Sequence, residues 1–339
     1  MLKALLAAGL EPGVICLSQG ESYESDIRKM GVDVRWAGSS RNRTLRMVNI
    51  VRHLTGLGAD LVQSTHFYTN LYAGLAGKLL RIPSIGAIRG DLDFEMPSHG
   101  ALGRWQISLP TFLIANSRAS FEQAVSARGT ARGIHMVPNV VETNGSVAEL
   151  SPNGLPLTLL WAGRLDENKR PERFIRMSAD LLERIPDKPL NFVIAGDGPR
   201  RNELERLADV LGTASATSFL GVVDRMSDVY GHADILVNTS DHEGTPNVIL
   251  EAMSHGLPVI ASEVGGTPDV VDRTRGILIE RGDENGLTDA AHLLASDLSL
   301  RQRLGEAGRK YVQDNHSIKR LAEQLMEIYK AACPKHFDQ

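Results

Sequence analysis

The chain reads as an α/β protein made of two doubly wound, parallel-sheet domains. Three observations predict this. Short β-rich runs alternate with amphipathic helical stretches throughout, they form two series of similar length, and a turn-rich segment of low periodicity separates them. Strands alternating with helices imply parallel sheets covered on both faces. Two such series imply two doubly wound units.

The first series places strands at 13–17, 32–36, 61–64, 84–88 and 111–115. The second places them at 157–163, 190–195, 217–220, 235–238, 258–261 and 276–279, with helices over 169–183, 201–211, 248–255 and 284–296. The expected linker is 140–156, VVETNGSVAELSPNGLP, rich in turn formers. Beyond Gly308 one long helical stretch is expected through Tyr311 to Ala332, with Ile318, Leu321, Leu325 and Ile328 at helical spacing.

With 339 residues, 42% hydrophobic and 23% charged, the composition is that of a soluble globular protein with room for two cores. No apolar run approaches the roughly 20 residues that span a bilayer. The opening MLKALLAAGLEPGVICLSQG fits helix, turn and strand better than a signal peptide. Cys16 and Cys333 are the only cysteines and lack metal spacing, so a reducing, cytoplasmic setting is expected. The N-x-S/T sequons at Asn42, Asn144, Asn238 and Asn315 are then chance.

The net charge of −4 argues against a dedicated nucleic-acid binder. The charge is uneven: residues 1–150 hold 15 Lys+Arg against 12 Asp+Glu, the remainder 22 against 29. Arg41, Arg43, Arg46 and Arg52 interleave with Leu45, Val48 and Val51 on a predicted helix. This is either a solvated helix face or a surface for anionic lipid head groups or a lipid-phosphate acceptor. The second reading would put the protein peripherally on the inner face of the cytoplasmic membrane.

The segment 240–262, SDHEGTPNVILEAMSHGLPVIAS, carries the most chemistry. It reads as a Gly-containing loop, a helix starting near Pro246 and Asn247, and a strand. A loop feeding a helix N-terminus offers backbone N–H groups and the positive end of a dipole to a phosphate. Glu243 and Glu251 would stand beside that anion, where carboxylates accept hydrogen bonds from sugar hydroxyls. The alternative makes Glu243 a helix-capping acid and Glu251 a surface residue.

In 159–169, LLWAGRLDENK, an apolar strand runs into Gly163 and Arg164, with Lys169 five residues on. A loop at a strand's carboxyl end can set both cations on a diphosphate; otherwise they are merely solvated. The Gly196-x-Gly198 turn in FVIAGDGPR reads as structural, and FLGVVD at 219–224, with Gly221, as backbone near a nucleotide base.

Gly163-Arg164-Leu165 with Lys169, then AGDGP at 195–199, FLG at 219–221 and the Glu-x7-Glu pair in EGTPNVILEAMSHGLPVIAS resemble the retaining glycosyltransferases of family 4. The resemblance covers most of residues 60–330 and implies the GT-B fold, two Rossmann-like domains facing each other across a cleft. It implies an acceptor-side domain at 1–145, a nucleotide-sugar-binding domain at 150–312, and a C-terminal helix at 313–339 packing back on the first. It also implies that Arg164 and Lys169 hold the donor's phosphates, Glu243 contacts the donor sugar and Glu251 accepts from the ribose. Backbone N–H groups of Gly244, Thr245, Asn247 and Val248, around Pro246, would cap the sugar and distal phosphate.

The expected reaction moves a sugar from a UDP- or GDP-sugar to a glycan or lipid-linked acceptor, with retention, in cell-envelope polysaccharide synthesis. Charge builds on the leaving diphosphate, which cations and a helix dipole stabilise. The nucleotide sugar is a co-substrate, and no cofactor or divalent ion is expected, no Asp-x-Asp pair being read here as a metal cluster.

In the first half, His66 follows a strand and is expected at the reaction centre, or else is structural. Arg89 stands where many relatives carry a His, and with Asp91 is expected on the acceptor side. Asn116-Ser117 and Pro138-Asn139 match family landmarks, while Val140 replaces a frequent Gly. Relatives open with a strand and Gly-rich loop that this chain lacks, so an N-terminally shortened or impaired enzyme is expected. Rival readings are a non-catalytic nucleotide-sugar-binding protein and a GT-B epimerase.

Overall fold

A computed structural model describes residues 1–20, 23–39, 42–142, 147–152 and 156–337. Arg41, the sequon at Asn144 and residues 143–146 and 153–155 of the expected linker lie outside the described residues. The chain divides into two compact units, Met1–Pro138 with Ile318–Gln339, and Asn139–Ser317. All strand pairs within the sheets are parallel.

The second unit is a six-stranded sheet of β7 (Leu157–Ala162), β8 (Leu190–Ala195), β9 (Thr217–Gly221), β10 (Ile235–Asn238), β11 (Val259–Ser262) and β12 (Ile277–Ile279), in the order β12-β11-β10-β7-β8-β9. That is the doubly wound order, reversing direction between β7 and β10. Strand residues face apolar layers on both sides, as the near-continuous hydrophobic runs require. Leu157, Leu159, Trp161, Phe192 and Ile194 pack on one side with Phe174 and Ile175. Leu160, Leu236, Val259 and Ala261 pack on the other with Ile249, Leu250 and Met253.

The first unit contains β1 (Gly13–Cys16) and β2 (Asp33–Trp36) as one sheet. A separate sheet holds β3 (Val62–Gln63), β4 (Ser84–Ile88), β5 (Phe112–Ala115) and β6 (Ile134–Met136) in that order. Both sheets pack against one helical layer: Ile15 and Val62 border the same cluster as Ile50, Leu54, Tyr72 and Ala76. Strand β6 escapes sequence reading because it is three residues long and carries no alternation.

Two expected boundaries move. The helical stretch beyond Gly308 is not continuous: helices Leu298–Asn315 and Ile318–Ala332 are separate. The break follows from His316, whose Nδ1 lies 2.7 Å from Asn139 O and whose own carbonyl accepts from Val141 N at 3.2 Å. Asn139 Nδ2 also donates to Thr245 O and to Asn247 Oδ1. These bonds tie residues 139–141 to the second unit, so the division falls at Pro138 rather than near 145. Ile318–Gln339 belongs to the first unit, where Tyr329 Oη donates to Gln63 Oε1.

Candidate functional site

The reversal of strand order sets the carboxyl ends of β7 and β10 side by side, and the crevice beyond such ends is where open α/β sheets bind ligands. The loop after β7 covers 163–170 and that after β10 covers 239–246. They are stitched together. Trp161 Nε1 donates to Thr239 Oγ1 at 2.9 Å, and the Thr239 hydroxyl lies 2.9 Å from both the Lys169 and Arg170 carbonyls. Asp241 N donates to Asn168 O, and Asn168 Nδ2 to His242 O. Arg173 Nη1 closes the set on Thr239 O and, at 2.7 Å, on Asp241 Oδ1.

This stitching brings Lys169 to Glu243. Lys169 Nζ is 2.6 Å from Glu243 Oε1, the two side chains being 27% and 8% exposed. Ser240 Oγ donates to the same carboxylate oxygen at 2.7 Å. Glu243 is therefore neither a cap nor a surface residue: helix Asn247–Ser254 has Pro246 at its N-cap with no side-chain cap bond. Its first-turn N–H groups and dipole are thus not served by a side-chain cap. Gly244, Thr245 and Pro246 are buried, Asn247 is exposed and Val248 half-buried.

Arg164 stands apart, its side chain 73% exposed and its Nε 3.8 Å from Asp166 Oδ2. Lys169 is not at a helix start, as expected from sequence; the helix begins at Pro171, a residue suited to that position. Arg170 before it adopts φ +51°, a left-handed conformation unusual for a side chain of this size.

Glu251, about one turn into its helix, is half-buried and accepts from Tyr230 Oη at 2.9 Å. Burial pushes its carboxyl above the usual carboxylate range, opposed by the Tyr230 hydrogen bond and the His255 charge. The Tyr230 ring packs 5.2 Å from that of His255.

Backbone approaches close enough to demand glycine support both loops. A Cβ on Gly196 would meet Gly163 O at 1.8 Å, and Gly196 N donates to Gly221 O. Gly163, Gly196 and Gly221 thereby form one packed layer at the ends of β7, β8 and β9. Gly265, at φ +51°, would set a Cβ 1.8 Å from Glu243 O, and Gly266 N donates to Gly244 O at 3.0 Å.

In the first unit, His66 caps the short helix Phe67–Thr69 and stacks on Tyr68. Partial burial, then the Arg89 charge, hold its imidazole below the ordinary value. Burial likewise lowers Arg89. Asp91 caps helix Leu92–Ser98 through Asp93 N and accepts from Gln123 Nε2, which also donates to Asp93. Sequence reading passed over Asp91-Leu92-Asp93 as an Asp-x-Asp pair; both carboxylates are engaged in holding this helix start to Gln123.

Trp161, Thr239, Arg173, Asp241, Tyr230 and Gly265 were not singled out from sequence. Only the Gly265-Gly266 pair after a strand offered a local signal.

Two family models match the chain: "Glycosyltransferase Family 4" over residues 1–144 and "Glycosyl transferases group 1" over residues 156–297. The chain belongs to the group 1 glycosyltransferases of family 4. Among relatives of this family, D-inositol 3-phosphate glycosyltransferase of Corynebacterium urealyticum is 32% identical over 52% of this chain and 44% of its own length. The protein of that name in Streptomyces avermitilis is 28% identical over 82% of this chain and 66% of its own. The chain spans about half the length of these curated relatives. Anabaena HepE, solved with UDP and glucose, superposes with a TM-score of 0.80 at 19% identity, covering 94% of this chain and 91% of that one. The fold is accordingly GT-B, with two α/β units. No helix among the described residues is long and apolar enough to cross a membrane.

Proposed function

We propose that this family 4 chain is a retaining glycosyltransferase that moves a sugar from a nucleotide diphosphate to a hydroxyl of a glycan or lipid-linked acceptor, in cell-envelope polysaccharide synthesis on the cytoplasmic side. The observation that carries the reading is the Lys169–Glu243 pair at the strand-order reversal, next to a helix start with no side-chain cap. A cation and a helix N-terminus suit a diphosphate, and a carboxylate beside them suits sugar hydroxyls.

In this reading Lys169, Arg164 and the N–H groups around Asn247 and Val248 take the negative charge that builds on the leaving diphosphate. Glu243 orients the sugar and Glu251 the ribose. His66, its imidazole lowered by burial and the Arg89 charge, would serve the reacting end of the acceptor, with Arg89 on the acceptor side. The side chains and backbone supply the charge stabilisation, and no cofactor is assigned a step. UDP is favoured over GDP because HepE was solved with UDP.

The test is calorimetric titration with UDP- and GDP-sugars. At least one should bind saturably, and the proposal fails if none does. Turnover with retained anomeric configuration, followed by proton NMR, completes it. A second reading is donor binding without transfer. It predicts tight donor binding with neither transfer nor hydrolysis.

A further inference from the structure

We infer that Asn139 and His316 are positioning residues for the donor site. Together they fix the start of helix Asn247–Ser254, and through it they couple donor occupancy to the segments where the chain passes between its two units. The inference rests on the glycosyl-transfer reading and names what holds the donor loop in place.

The chain leaves the first unit at Pro138 and returns to it at Ile318. Within the second unit, the residues beside these two passages are bound to each other. His316 Nδ1 lies 2.7 Å from Asn139 O, and a carbonyl only accepts, so Nδ1 carries the proton. Val141 N donates back to His316 O at 3.2 Å. His316 is 3% exposed, and a buried polar group that loses its partner is costly.

The Asn139 side chain reaches from this junction into the donor loop. Its Nδ2 carries two N–H groups and has two acceptors, Thr245 O at 3.1 Å and Asn247 Oδ1 at 2.9 Å. Pro246 lies between these acceptors. It has no N–H of its own and gives the helix no side-chain cap. Asn139 therefore brackets the helix start from outside the loop, where the N–H groups of Asn247 and Val248 are assigned to the diphosphate.

A second path starts from the same histidine. The His316 ring lies 5.4 Å from that of Tyr311, and Tyr311 Oη donates to Asp269 O at 2.9 Å. Arg275 lies over the Tyr311 ring, 3.9 Å from its centroid. Asp269 belongs to helix Thr267–Val270, directly after Gly266, whose N–H holds Gly244 O at 3.0 Å. Gly244 and Asn247, on either side of the Thr245-Pro246 turn, are thus both tied to His316. A donor that orders this turn orders the passages as well. By reciprocity, loosening the passages weakens the donor.

The experiment titrates the full chain with UDP and with GDP. The tighter of the two is carried through Asn139→Ala, His316→Leu and His316→Asn, with melting curves and with hydrogen exchange in its presence and absence. We expect about tenfold weaker binding in Asn139→Ala and in His316→Leu. His316→Asn should recover most of the affinity, because an asparagine amide occupies the place of Nδ1. In the unmodified chain the nucleotide should slow exchange at 139–141 as well as at 244–250. In Asn139→Ala saturated with nucleotide, only the second slowing should remain. Lower melting temperatures with unchanged affinity would make the pair merely structural and overturn the proposal. So would a nucleotide that slows exchange at 244–250 of the unmodified chain and leaves 139–141 untouched. If neither nucleotide binds the unmodified chain, the glycosyl-transfer reading falls and takes this inference with it. If one binds and every variant binds it equally, this inference falls alone. Should Asn139→Ala not fold, Asn247→Ala, at an exposed position, removes one acceptor of the same amide and should likewise uncouple 139–141 from the nucleotide.

Discussion

Lys169 Nζ lies 2.6 Å from Glu243 Oε1, joining the loop after β7 to the loop after β10 across the point where strand order reverses. In the proposed reaction the ammonium also serves the donor's phosphates. The diphosphate therefore competes with the Glu243 carboxylate for the same cation, and Ser240 remains to hold the carboxylate when Lys169 turns away.

Replacing Lys169 by Met should weaken donor binding by about 10- to 100-fold, from the ~1.5–3 kcal/mol of a hydrogen bond to a charged group. It should also lower thermal stability, because it strips a nearly buried carboxylate of its cation. Adding Glu243→Gln should restore the melting temperature without restoring affinity. Affinity that follows stability would mean the pair is only structural. Calorimetry and thermal melts of the two single variants and the double variant decide it.

Glu251 gives a pH prediction. Burial raises its carboxyl and the Tyr230 hydrogen bond opposes that rise. A carboxyl raised in the folded state binds its proton more readily there than in the unfolded chain. Its contribution to stability is therefore present below the ordinary value of 4.5 and is lost as pH rises through the raised one. Donor binding should run the opposite way, strengthening as the carboxylate forms and accepts ribose hydroxyls. Tyr230→Phe should move the midpoint of that affinity curve to higher pH. A midpoint unmoved by the substitution would separate Tyr230 from the site.

His66 is held below its ordinary value first by burial and then by Arg89. Arg89→Gln removes the second cause, so the imidazole should titrate at higher pH, read directly from its NMR shifts. For a lowered histidine the sign is fixed: its stability contribution is present above the unfolded value and is lost as pH falls through the folded one. The variant should accordingly lose less stability on acidification. An unchanged titration would show that the two charges do not sense each other.

How far these relationships could be read in advance depended on sequence distance. The strands and the donor loop were legible because periodicity, glycine and helix starts act within a few residues. Trp161–Thr239 and Arg173–Asp241 bridge separations of 78 and 68 residues, and such pairs leave no local pattern. Tyr230 carries no local sign of its partner, 21 residues away, and only the fold sets its hydroxyl on Glu251. Arg164 and Lys169 looked equivalent as basic residues in one loop. Packing separated them, exposing the first and binding the second to Glu243. The break before Ile318 was hidden because the residues on either side continue a helical pattern, while the bonds to His316 come from residues 139 and 141.

Gly265 allows the donor loop itself to be tested. Its φ of +51° disfavours any side chain, and an added Cβ would lie 1.8 Å from Glu243 O. Gly212 shares the first property, at φ +71°, but has nothing within 4 Å of the added atom. Gly212→Ala should therefore cost only the conformational penalty, about 1 kcal/mol, and leave donor affinity intact. Gly265→Ala pays the same penalty and must in addition push the Glu243 backbone away. That displacement carries Glu243 off Lys169 and shifts the start of helix Asn247–Ser254. Donor affinity should fall by more than about tenfold, since misplacement of the order of 1 Å is enough for large losses in sites of this kind. Matched melts and titrations of the two variants separate strain from displacement. Equal affinities in both would show that the loop does not need the close contact with Gly265 to hold the donor.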